Sequence, residues 1–331
     1  MGCMKTRKLE GRFMQLFQSI EVNRRIKGEP LVHQLESYPQ ISVVIPSFNQ
    51  GKYIEETILS VIGQKYPRLE IIVIDGGSTD NTVEVLEKYS RHLSYWHSKK
   101  DEGQADAINK GMRLANGEVL CWLNSDDLYL PGALLEIGRR LKEMLGKPHL
   151  VYGSALTMYQ NNGYLDGGSR LAGKFSAEQL THLDYVVQPS SFWTRELWLL
   201  NGELDSKYQY AFDWEWFIRA SKIVPFEYFH GFFSIYRLHL LNKTSTGGMK
   251  RINEINEIIE QFAPDYWKGL YKAVFVRYQR MIWLRRILNQ LRVPGVDRLM
   301  PLLFPRILTQ SGFKSGKDLL SVLYMYGLNG V

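Results

Sequence analysis

Two adjacent carboxylates, Asp126 and Asp127, follow a short apolar run that ends at Leu123. Carboxylates at the end of a strand suit a hard divalent cation. Mg²⁺ and Mn²⁺ prefer oxygen ligands and fill the rest of their coordination shell with water and a diphosphate. Asp is also common in turns and at helix N-caps, and Pro131 downstream agrees with that alternative. By themselves the two residues leave both interpretations open.

A second pair of carboxylates stands among aromatic residues, since Asp213 and Glu215 alternate with Phe212, Trp214 and Trp216. Apolar surroundings raise the pKa of a carboxylate, which suits a general base that removes a proton from a hydroxyl group. The alternative is the start of an ordinary amphipathic helix, where acidic residues in the first turn are favoured by the helix dipole. The local pattern alone favours that alternative.

The elements that must position these residues are short strands alternating with helices. Buried strands are predicted over 41–45, 70–74 and 118–123, and helices over 53–63 and 105–115. A further helix through Leu86 has its N-cap candidates at 78–80. This alternation predicts an α/β fold with a Rossmann-like, mostly parallel central sheet flanked by helices. Such sheets bind ligands beyond the carboxyl ends of their strands. Polar clusters follow three of these strands, at 46–49, 75–80 and 124–127.

The second half of the chain alternates less regularly. A hairpin is predicted over 150–168, a helix over 212–222, a strand over 226–236 and a long helix over 266–291. We predict an N-terminal helical segment over 1–40, a main domain over 41–264 and a basic helical extension over 265–331.

Four motifs occur in a fixed order along the chain. They read V-V-I-P-S-F-N-Q-G from Val43, I-V-I-D-G-G-S-T-D-N-T from Ile72, D-E-G-Q-A-D-A-I-N-K-G from Asp101 and L-N-S-D-D from Leu123. Over about residues 41–245 this set resembles family-2 glycosyltransferases of the GT-A fold. The resemblance implies transfer of a sugar from a nucleotide diphosphate sugar to an acceptor, with inversion at the anomeric carbon.

The resemblance also implies roles for residues that would bind the donor. Asp75 would accept a hydrogen bond from the base, which is uracil in most of the family. Residues implied to line the nucleotide pocket are Pro46, Ser47, Phe48 and Asn49. Residues implied to flank the donor or its ribose and diphosphate are Gln104, Asp106, Lys110, Asn124, Ser125 and Asp126. Asn124 stands where many members carry a first Asp, so the local negative charge is lower here.

Metal binding and catalysis are likewise assigned by the resemblance. Asp127 and His239 would hold Mn²⁺ or Mg²⁺, although a lone histidine is often structural. Asp213 would be the general base, with Glu215 as the second candidate. Arg237 or Lys243 would neutralise charge on the leaving diphosphate.

The charge distribution bears on the partners of the protein. The formal net charge is +7, but from residue 265 onward 11 Lys and Arg oppose only 3 Asp and Glu, while the middle of the chain is slightly acidic. An acidic middle argues against nucleic acid as a partner. The basic, aromatic-rich C-terminal helix favours equally a peripheral contact with an anionic membrane and packing on the main domain.

The location expected from the sequence is the cytoplasm. Two cysteines are too few for a disulfide framework and indicate a reducing compartment. The sequence contains no run of about 18 apolar residues, so it predicts no transmembrane helix. Contact with the inner face of the cytoplasmic membrane is the alternative that the basic C-terminal helix leaves open.

The sequence therefore predicts a metal-dependent glycosyltransferase that uses a nucleotide sugar, most often a UDP-sugar in this family, and a glycan or lipid-linked acceptor. One alternative is a sugar nucleotidyltransferase, although the segment after the first strand is a poor Gly-rich phosphate loop. Another is a catalytically silent module that only binds nucleotide sugars. A dehydrogenase is disfavoured, because no G-x-G-x-x-G motif follows a strand.

Overall fold

The computed structural model describes residues 38–159, 164–170, 173–239, 242–290 and 316–327. Most of the predicted N-terminal helical segment and much of the predicted C-terminal extension lie outside the described residues. Within the described ranges, none of the helices combines the length and apolar character that a membrane span requires.

The chain divides into two compact units. The first contains the described residues within Met1–Phe175, Val186–Lys207 and Arg219–His239, and the second those within Ser176–Tyr185, Tyr208–Ile218 and Leu240–Val331. The second unit thus combines two earlier segments with the residues from 240 onward, and the domain boundary after residue 264 stays a prediction.

The strands of the described residues all belong to the first unit and form one sheet. They are β1 (Ile41–Ser47), β2 (Leu69–Asp75), β3 (Tyr95–Ser98), β4 (Val119–Trp122), β5 (Leu128–Tyr129), β6 (Leu150–Tyr159), β7 (Tyr164–Arg170), β8 (Ser191–Thr194) and β9 (Glu227–Leu238). The order across the sheet is β3-β2-β1-β4-β8-β6-β9-β5, and β7 pairs with β6.

The sheet has a parallel half and a mixed half. Strands β3, β2, β1 and β4 are parallel neighbours, as a Rossmann-like arrangement requires. From β4 onward the pairings are antiparallel, apart from the parallel pair β6 and β9. The predicted α/β class with helices flanking the sheet is confirmed, and the predicted hairpin corresponds to β6 and β7.

The helices of the described residues carry the crossovers and build the second unit. They are α1 (Ile54–Ile62), α2 (Thr82–Tyr89), α3 (Gln104–Leu114), α4 (Ala133–Leu141), α5 (Ala177–Leu180), α6 (Arg195–Asn201), α7 (Phe212–Ser221), α8 (Lys243–Thr246), α9 (Gly248–Phe262), α10 (Asp265–Gln290) and α11 (Gly316–Met325). Helix α2 begins at Thr82, shortly after the N-cap candidates predicted at 78–80, and the side chain of Asp80 accepts hydrogen bonds from the backbone and hydroxyl of Thr82.

The core of the first unit explains why its strands read as continuous apolar runs. All seven residues of β1 are buried, since helices cover both faces of the parallel half. Ile41, Val43 and Ile45 point to the side that carries Ile54 and Ile58 of α1. Val44 points to the opposite side, against Gly111 of α3. The helical stripe of α1 is amphipathic, as its spacing predicts.

The second unit is helical in its described residues. Its buried side chains include Ile255 and Ile259 of α9, Leu270 and Val274 of α10, and Leu323 of α11. The first turns of α10 therefore pack within this unit, and both alternatives for the basic extension stay predictions. The side chains of Arg277, Arg280, Arg285 and Arg286, and the whole of Arg292, lie outside the described residues.

Gly111 allows α3 to approach β1 closely, because a Cβ at this position would collide with Val44 Cγ1. We expect Gly111→Ala to lower the free energy of unfolding by about 1–3 kcal/mol, since overpacking outweighs the better helix propensity of alanine. Gly269→Ala in α10 is the matched control. No atom lies within 4 Å of its added Cβ, so it should stabilise by about 0.5–1 kcal/mol. Chemical denaturation measures the free energy of unfolding of both variants. Equal changes in the two variants would contradict the close packing of α3 on β1.

Candidate active site

The loop after β1 is fixed to the loop after β2. Asn49 adopts a left-handed conformation with φ of 52°. Its backbone N–H donates to Ser78 Oγ at 2.7 Å, and its side-chain oxygen accepts from the backbone of Thr79 at 2.9 Å. Phe48 is 59% exposed beside it, whereas Ser47 is buried and its hydroxyl has no hydrogen-bond partner among the described residues. Polar and aromatic side chains therefore lie at the carboxyl end of β1, and their role in a nucleotide pocket stays a prediction.

Asp75 ends β2 and is fully buried. One of its oxygens accepts from the Ser78 hydroxyl at 2.6 Å. The other accepts from the backbone of Gly77 at 3.2 Å, the backbone of Ser78 at 2.8 Å and the hydroxyl of Ser98 at 2.6 Å. These bonds assign Asp75 to holding the turn after β2 against the end of β3. Its role in binding the base stays a prediction.

Asp127 is also buried, with 1% of its surface exposed. One oxygen accepts from the backbone N–H of Arg237 in β9 at 3.0 Å, and the other accepts from the amide of Asn124 at 3.2 Å. Burial, and then the charge of Asp126, raise the pKa of Asp127 well above its usual value despite these bonds. Thr57 of α1 donates to the backbone oxygens of Ser125 and Asp127, at 2.9 and 2.8 Å, and so fixes this loop.

Asp126 and His239 meet directly, although they are far apart in sequence. His239 Nε2 lies 2.9 Å from Asp126 Oδ2, and the side chains are 2% and 15% exposed respectively. The imidazole stacks on Tyr53 with ring centroids 4.6 Å apart. Arg237 lies over the same tyrosine ring, 5.1 Å from its centroid, and pairs with Glu56 at 2.5 Å. The predicted metal residue His239 is thus adjacent to Asp126.

The described residues contain no group of three or more His, Cys, Asp or Glu side chains that could hold a metal ion. Asp126 and His239 nevertheless offer one carboxylate and one imidazole at the carboxyl end of β4. Two protein ligands fit Mg²⁺ or Mn²⁺, because these ions usually take several ligands from water and from substrate phosphates. The side chains present therefore fit a divalent cation bound together with a diphosphate.

Amide side chains connect the predicted donor residues beside this pair. Gln104 donates to the Asn124 side chain at 2.8 Å, and Asn124 donates to Gln188 at 3.3 Å. Gln188 in turn donates to the backbone oxygen of Trp122 at 2.8 Å. Asn124, which replaces a frequent Asp of the family, is therefore used as both donor and acceptor. An aspartate could not donate in this network.

Asp106 and Lys110 form an ion pair on α3, with Lys110 Nζ 2.7 Å from the carboxylate. They are one helical turn apart, so the pair is local and each charge is largely balanced by the other. Both stay predicted donor contacts.

The predicted base belongs to the second unit. Asp213 lies in the first turn of α7, where its carboxylate accepts from the backbone of Trp214 at 2.9 Å. The neighbouring Phe212, Trp214 and Trp216 are buried, in agreement with the apolar setting that the sequence predicts. Glu215 is 4% exposed.

Glu254 of α9 supports the start of α7, and no sequence signal pointed to it. Its two carboxylate oxygens accept from the backbone N–H groups of Gln209, Tyr210 and Ala211 at 2.8, 2.8 and 3.1 Å. A carboxylate at a helix N-terminus is stabilised by these amides and by the helix dipole. Glu254 therefore fixes the backbone directly before Asp213.

Comparisons with known proteins agree with this arrangement. Residues 42–179 match the model of glycosyl transferase family 2. Glycosyltransferases of Rickettsia felis and Rickettsia bellii are 34% and 32% identical over 35% and 39% of this chain, but the chain covers only 19% of the length of each. A PGL/p-HBAD biosynthesis glycosyltransferase of Mycobacterium tuberculosis is 28% identical over 55% of this chain and 70% of its own length.

Among solved structures, S. aureus TarS 1–349 in complex with UDP-GlcNAc is similar, with a TM-score of 0.54 and 18% identity over 87% of this chain and 91% of that chain. At this identity the likeness concerns the fold. The described residues therefore have an α/β fold of the GT-A type. Residues 42–179 of this chain are similar to glycosyl transferase family 2.

The contact between Glu254 and the start of α7 predicts a stability effect. We expect Glu254→Ala to lower the free energy of unfolding by about 1–3 kcal/mol, because three backbone N–H groups lose a charged acceptor. Glu260→Ala is the matched control, since Glu260 is an exposed residue of the same helix and should change stability by less than about 0.5 kcal/mol. Thermal and chemical unfolding measure the difference. Equal values for the two variants would show that Glu254 does not fix this backbone.

Proposed function

We propose that this protein transfers a sugar from a nucleotide diphosphate sugar to a hydroxyl group of a glycan or lipid-linked acceptor, with inversion. The observation that carries the proposal is the contact of Asp126 with His239 at 2.9 Å, at the carboxyl end of β4 in a chain similar to glycosyl transferase family 2. A UDP-sugar is the proposed donor, in line with the sequence resemblance. TarS, a neighbour in fold, is known in complex with UDP-GlcNAc.

Asp126 and His239 would hold Mn²⁺ or Mg²⁺, which would neutralise charge on the donor diphosphate. The sequence prediction assigned the pair Asp126 and Asp127 to the metal, with Asp127 as a named ligand. Both oxygens of Asp127 are occupied by hydrogen bonds, which favours Asp126 as the carboxylate ligand and Asp127 as its support. Arg237 is a second source of positive charge beside the leaving group.

The remaining predicted residues complete the proposed donor site. The segment from Pro46 to Asn49 would contact the nucleoside, in agreement with the exposed ring of Phe48 and the buried hydroxyl of Ser47. Gln104 and Asn124 would lie beside the diphosphate, supported by their mutual hydrogen bond.

Asp213 is the proposed general base, with Glu215 as the second candidate. The acceptor oxygen attacks the anomeric carbon while its proton passes to the Asp213 carboxylate. The bond between the anomeric carbon and the diphosphate oxygen breaks, and the nucleoside diphosphate leaves with the bonding electrons. The buried aromatic neighbours of Asp213 support this role, because apolar surroundings favour proton uptake by a carboxylate.

Peripheral contact with an anionic membrane is proposed as the way a lipid-linked acceptor is reached. Val276 and Trp283 of α10 are 73% and 64% exposed on a helix whose sequence is rich in arginine. Exposed apolar and aromatic side chains on a basic helix suit the headgroup region of a bilayer.

If the proposed donor site is correct, incubation of the protein with a nucleotide sugar and Mn²⁺, without acceptor, should release nucleoside diphosphate. Slow release from one donor should disappear with a chelator and in Asp126→Ala. Asp127→Asn should reduce this release less than Asp126→Ala does, because the side-chain oxygen of the asparagine can still accept the hydrogen bond from the backbone of Arg237. Asp205→Asn, at an exposed ion pair with Lys207, is the matched control.

Release that persists in Asp126→Ala would contradict the proposed metal pair. Binding of a nucleotide sugar with no release and no transfer would favour the silent binding module instead. Formation of a nucleotide sugar from a sugar phosphate would favour the nucleotidyltransferase.

The base assignment predicts a loss of turnover without a loss of donor binding. We expect Asp213→Asn to reduce the rate of hydrolysis or transfer by about 10²–10⁴-fold, because the amide cannot accept the proton. The Kd for the nucleoside diphosphate should stay unchanged. Asp265→Asn, at a fully exposed carboxylate in the same unit, is the control. Near-normal turnover in Asp213→Asn would rule out this base, and the same measurement on Glu215→Gln would test the second candidate.

A further inference from the structure

The residue that follows the proposed base makes a hydrogen bond to a distant part of the chain. Trp214 is buried, with 1% of its surface exposed, and its indole Nε1–H donates to the backbone oxygen of Leu180 at 2.7 Å. Leu180 is the last residue of α5 and is fully buried. The bond therefore fixes the first turn of α7 to a segment that lies 34 residues earlier in the sequence.

The segment Ser176–Tyr185, which contains Leu180, is held in turn by α10 of the same unit. Tyr271 of α10 donates its hydroxyl to the backbone oxygen of His182 at 2.6 Å. The His182 imidazole stacks on Trp267, one turn earlier in α10, with ring centroids 3.7 Å apart and an angle of 12° between the ring planes. Burial lowers the pKa of His182 to about 4, so the ring is neutral near pH 7 and stacks as an aromatic side chain.

Helix α11 adds a contact at the other end of this segment. The backbone N–H of Asp184 donates to the sulfur of Met325 at 3.3 Å, and Met325 is 3% exposed. The hydroxyl of Tyr326 donates to the side chain of Asn256 in α9 at 2.5 Å and lies 3.3 Å from the backbone oxygen of Tyr271. Helices α9, α10 and α11 are thus joined to one another and to the segment Ser176–Tyr185.

Asp213 lies between two fixed points of the backbone. Before it, Glu254 of α9 accepts hydrogen bonds from residues 209–211. After it, Trp214 is bonded to Leu180. Both points depend on the C-terminal helices of this unit. A base must be held close to its productive position, because a displacement of about 1 Å can cost about 100-fold in rate.

We propose that the segment Ser176–Tyr185 is a positioning element for the base. Helices α10 and α11 hold the segment, and its Leu180 oxygen holds Trp214 and so the backbone that carries Asp213. Trp214 and Tyr271 are the positioning residues, since their side chains make the hydrogen bonds at the two ends of this connection. This inference rests on the proposed function, because it requires Asp213 to be the base. The C-terminal helices then contribute to turnover in addition to packing.

The test measures turnover and nucleotide binding separately, on the full chain in solution with Mn²⁺. Trp214→Phe keeps an aromatic ring but removes the N–H that donates to Leu180. We expect kcat for release of nucleoside diphosphate, from the UDP-sugar that the release assay identifies, to fall about 10-fold. The Kd for UDP, measured by calorimetry, should change by less than about twofold. Trp283→Phe, at a 64% exposed tryptophan of the same unit, is the matched control and should change neither value.

Tyr271→Phe tests the other end of the connection. It removes only the hydroxyl that donates to the backbone oxygen of His182. We expect kcat to fall about 3–10-fold, with the Kd for UDP unchanged. Tyr324→Phe, at a 42% exposed tyrosine of α11, is the matched control. Thermal unfolding of each variant measures how much of the protein is folded.

Combination with Asp213→Asn distinguishes positioning of the base from a general loss of stability. A change that only lowers the folded fraction should reduce the residual rate of Asp213→Asn by the same factor as it reduces the wild-type rate. A change that acts through Asp213 cannot remove the same contribution twice, so it should leave that residual rate unchanged. A donor with a radiolabelled sugar makes the residual rate measurable.

The possible outcomes separate this inference from the proposed function. If the wild type releases no nucleoside diphosphate, or if Asp213→Asn keeps near-normal turnover, the proposed base and this inference fail together. Suppose instead that Asp213→Asn is slow. If folded Trp214→Phe and Tyr271→Phe then keep the wild-type kcat, or lower the rate of Asp213→Asn by the same factor, the positioning role is overturned while the proposed function stands.

If only Trp214→Phe lowers kcat, the contribution of α10 is overturned and that of Leu180 is kept. A lower kcat in both variants, with an unchanged Kd for UDP and no further loss in the Asp213→Asn background, supports the positioning element.

Discussion

The donor half of the candidate site depends on one buried carboxylate. Asp127 accepts hydrogen bonds from the backbone of Arg237 and the side chain of Asn124, and so ties the loop after β4 to β9. A buried charge is costly unless polar groups surround it, which is why its neighbours are fixed so firmly. The direct result is the contact of Asp126 with His239, two residues that the sequence separates by more than a hundred positions. The stacking of His239 on Tyr53 adds a third part of the chain to the same cluster.

Much of the parallel half of the sheet follows from local sequence patterns. The run from Ile41 is buried on both faces, so its residues are apolar apart from Ser42 as far as Pro46, and this composition predicts a strand without any tertiary information. The same holds for β2. Because parallel strands bring their carboxyl ends to one edge, the polar residues after neighbouring strands are expected to lie together, and the hydrogen bonds of Asn49 with Ser78 and Thr79 agree with that expectation for β1 and β2.

Other features depend on contacts that a local pattern does not contain. Strand β3 lies at the edge of the sheet and its residues are only partly buried, so Tyr95–Ser98 has no apolar run to mark it. Glu254 reads as an ordinary acidic residue of an amphipathic helix, and its hydrogen bonds to residues 209–211 arise only when α9 packs beside the start of α7. Asp101 begins the third of the four sequence motifs, but its proximity to Gly76 depends on the backbone geometry of two loops. The two units likewise interleave along the chain, which no shift in composition indicates.

The late position of β9 in the sequence has a consequence for synthesis of the protein on the ribosome. Strands β1 to β4 are complete once about 120 residues have been made, and domains generally begin to fold from the N-terminus. Asp127 then lacks the N–H of Arg237, and Asp126 lacks His239, until the strand Glu227–Leu238 has emerged and paired with β5 and β6. A nascent chain therefore lacks the contact of Asp126 with His239 and the hydrogen bond from Arg237 to Asp127 until nearly three quarters of the sequence has been synthesised.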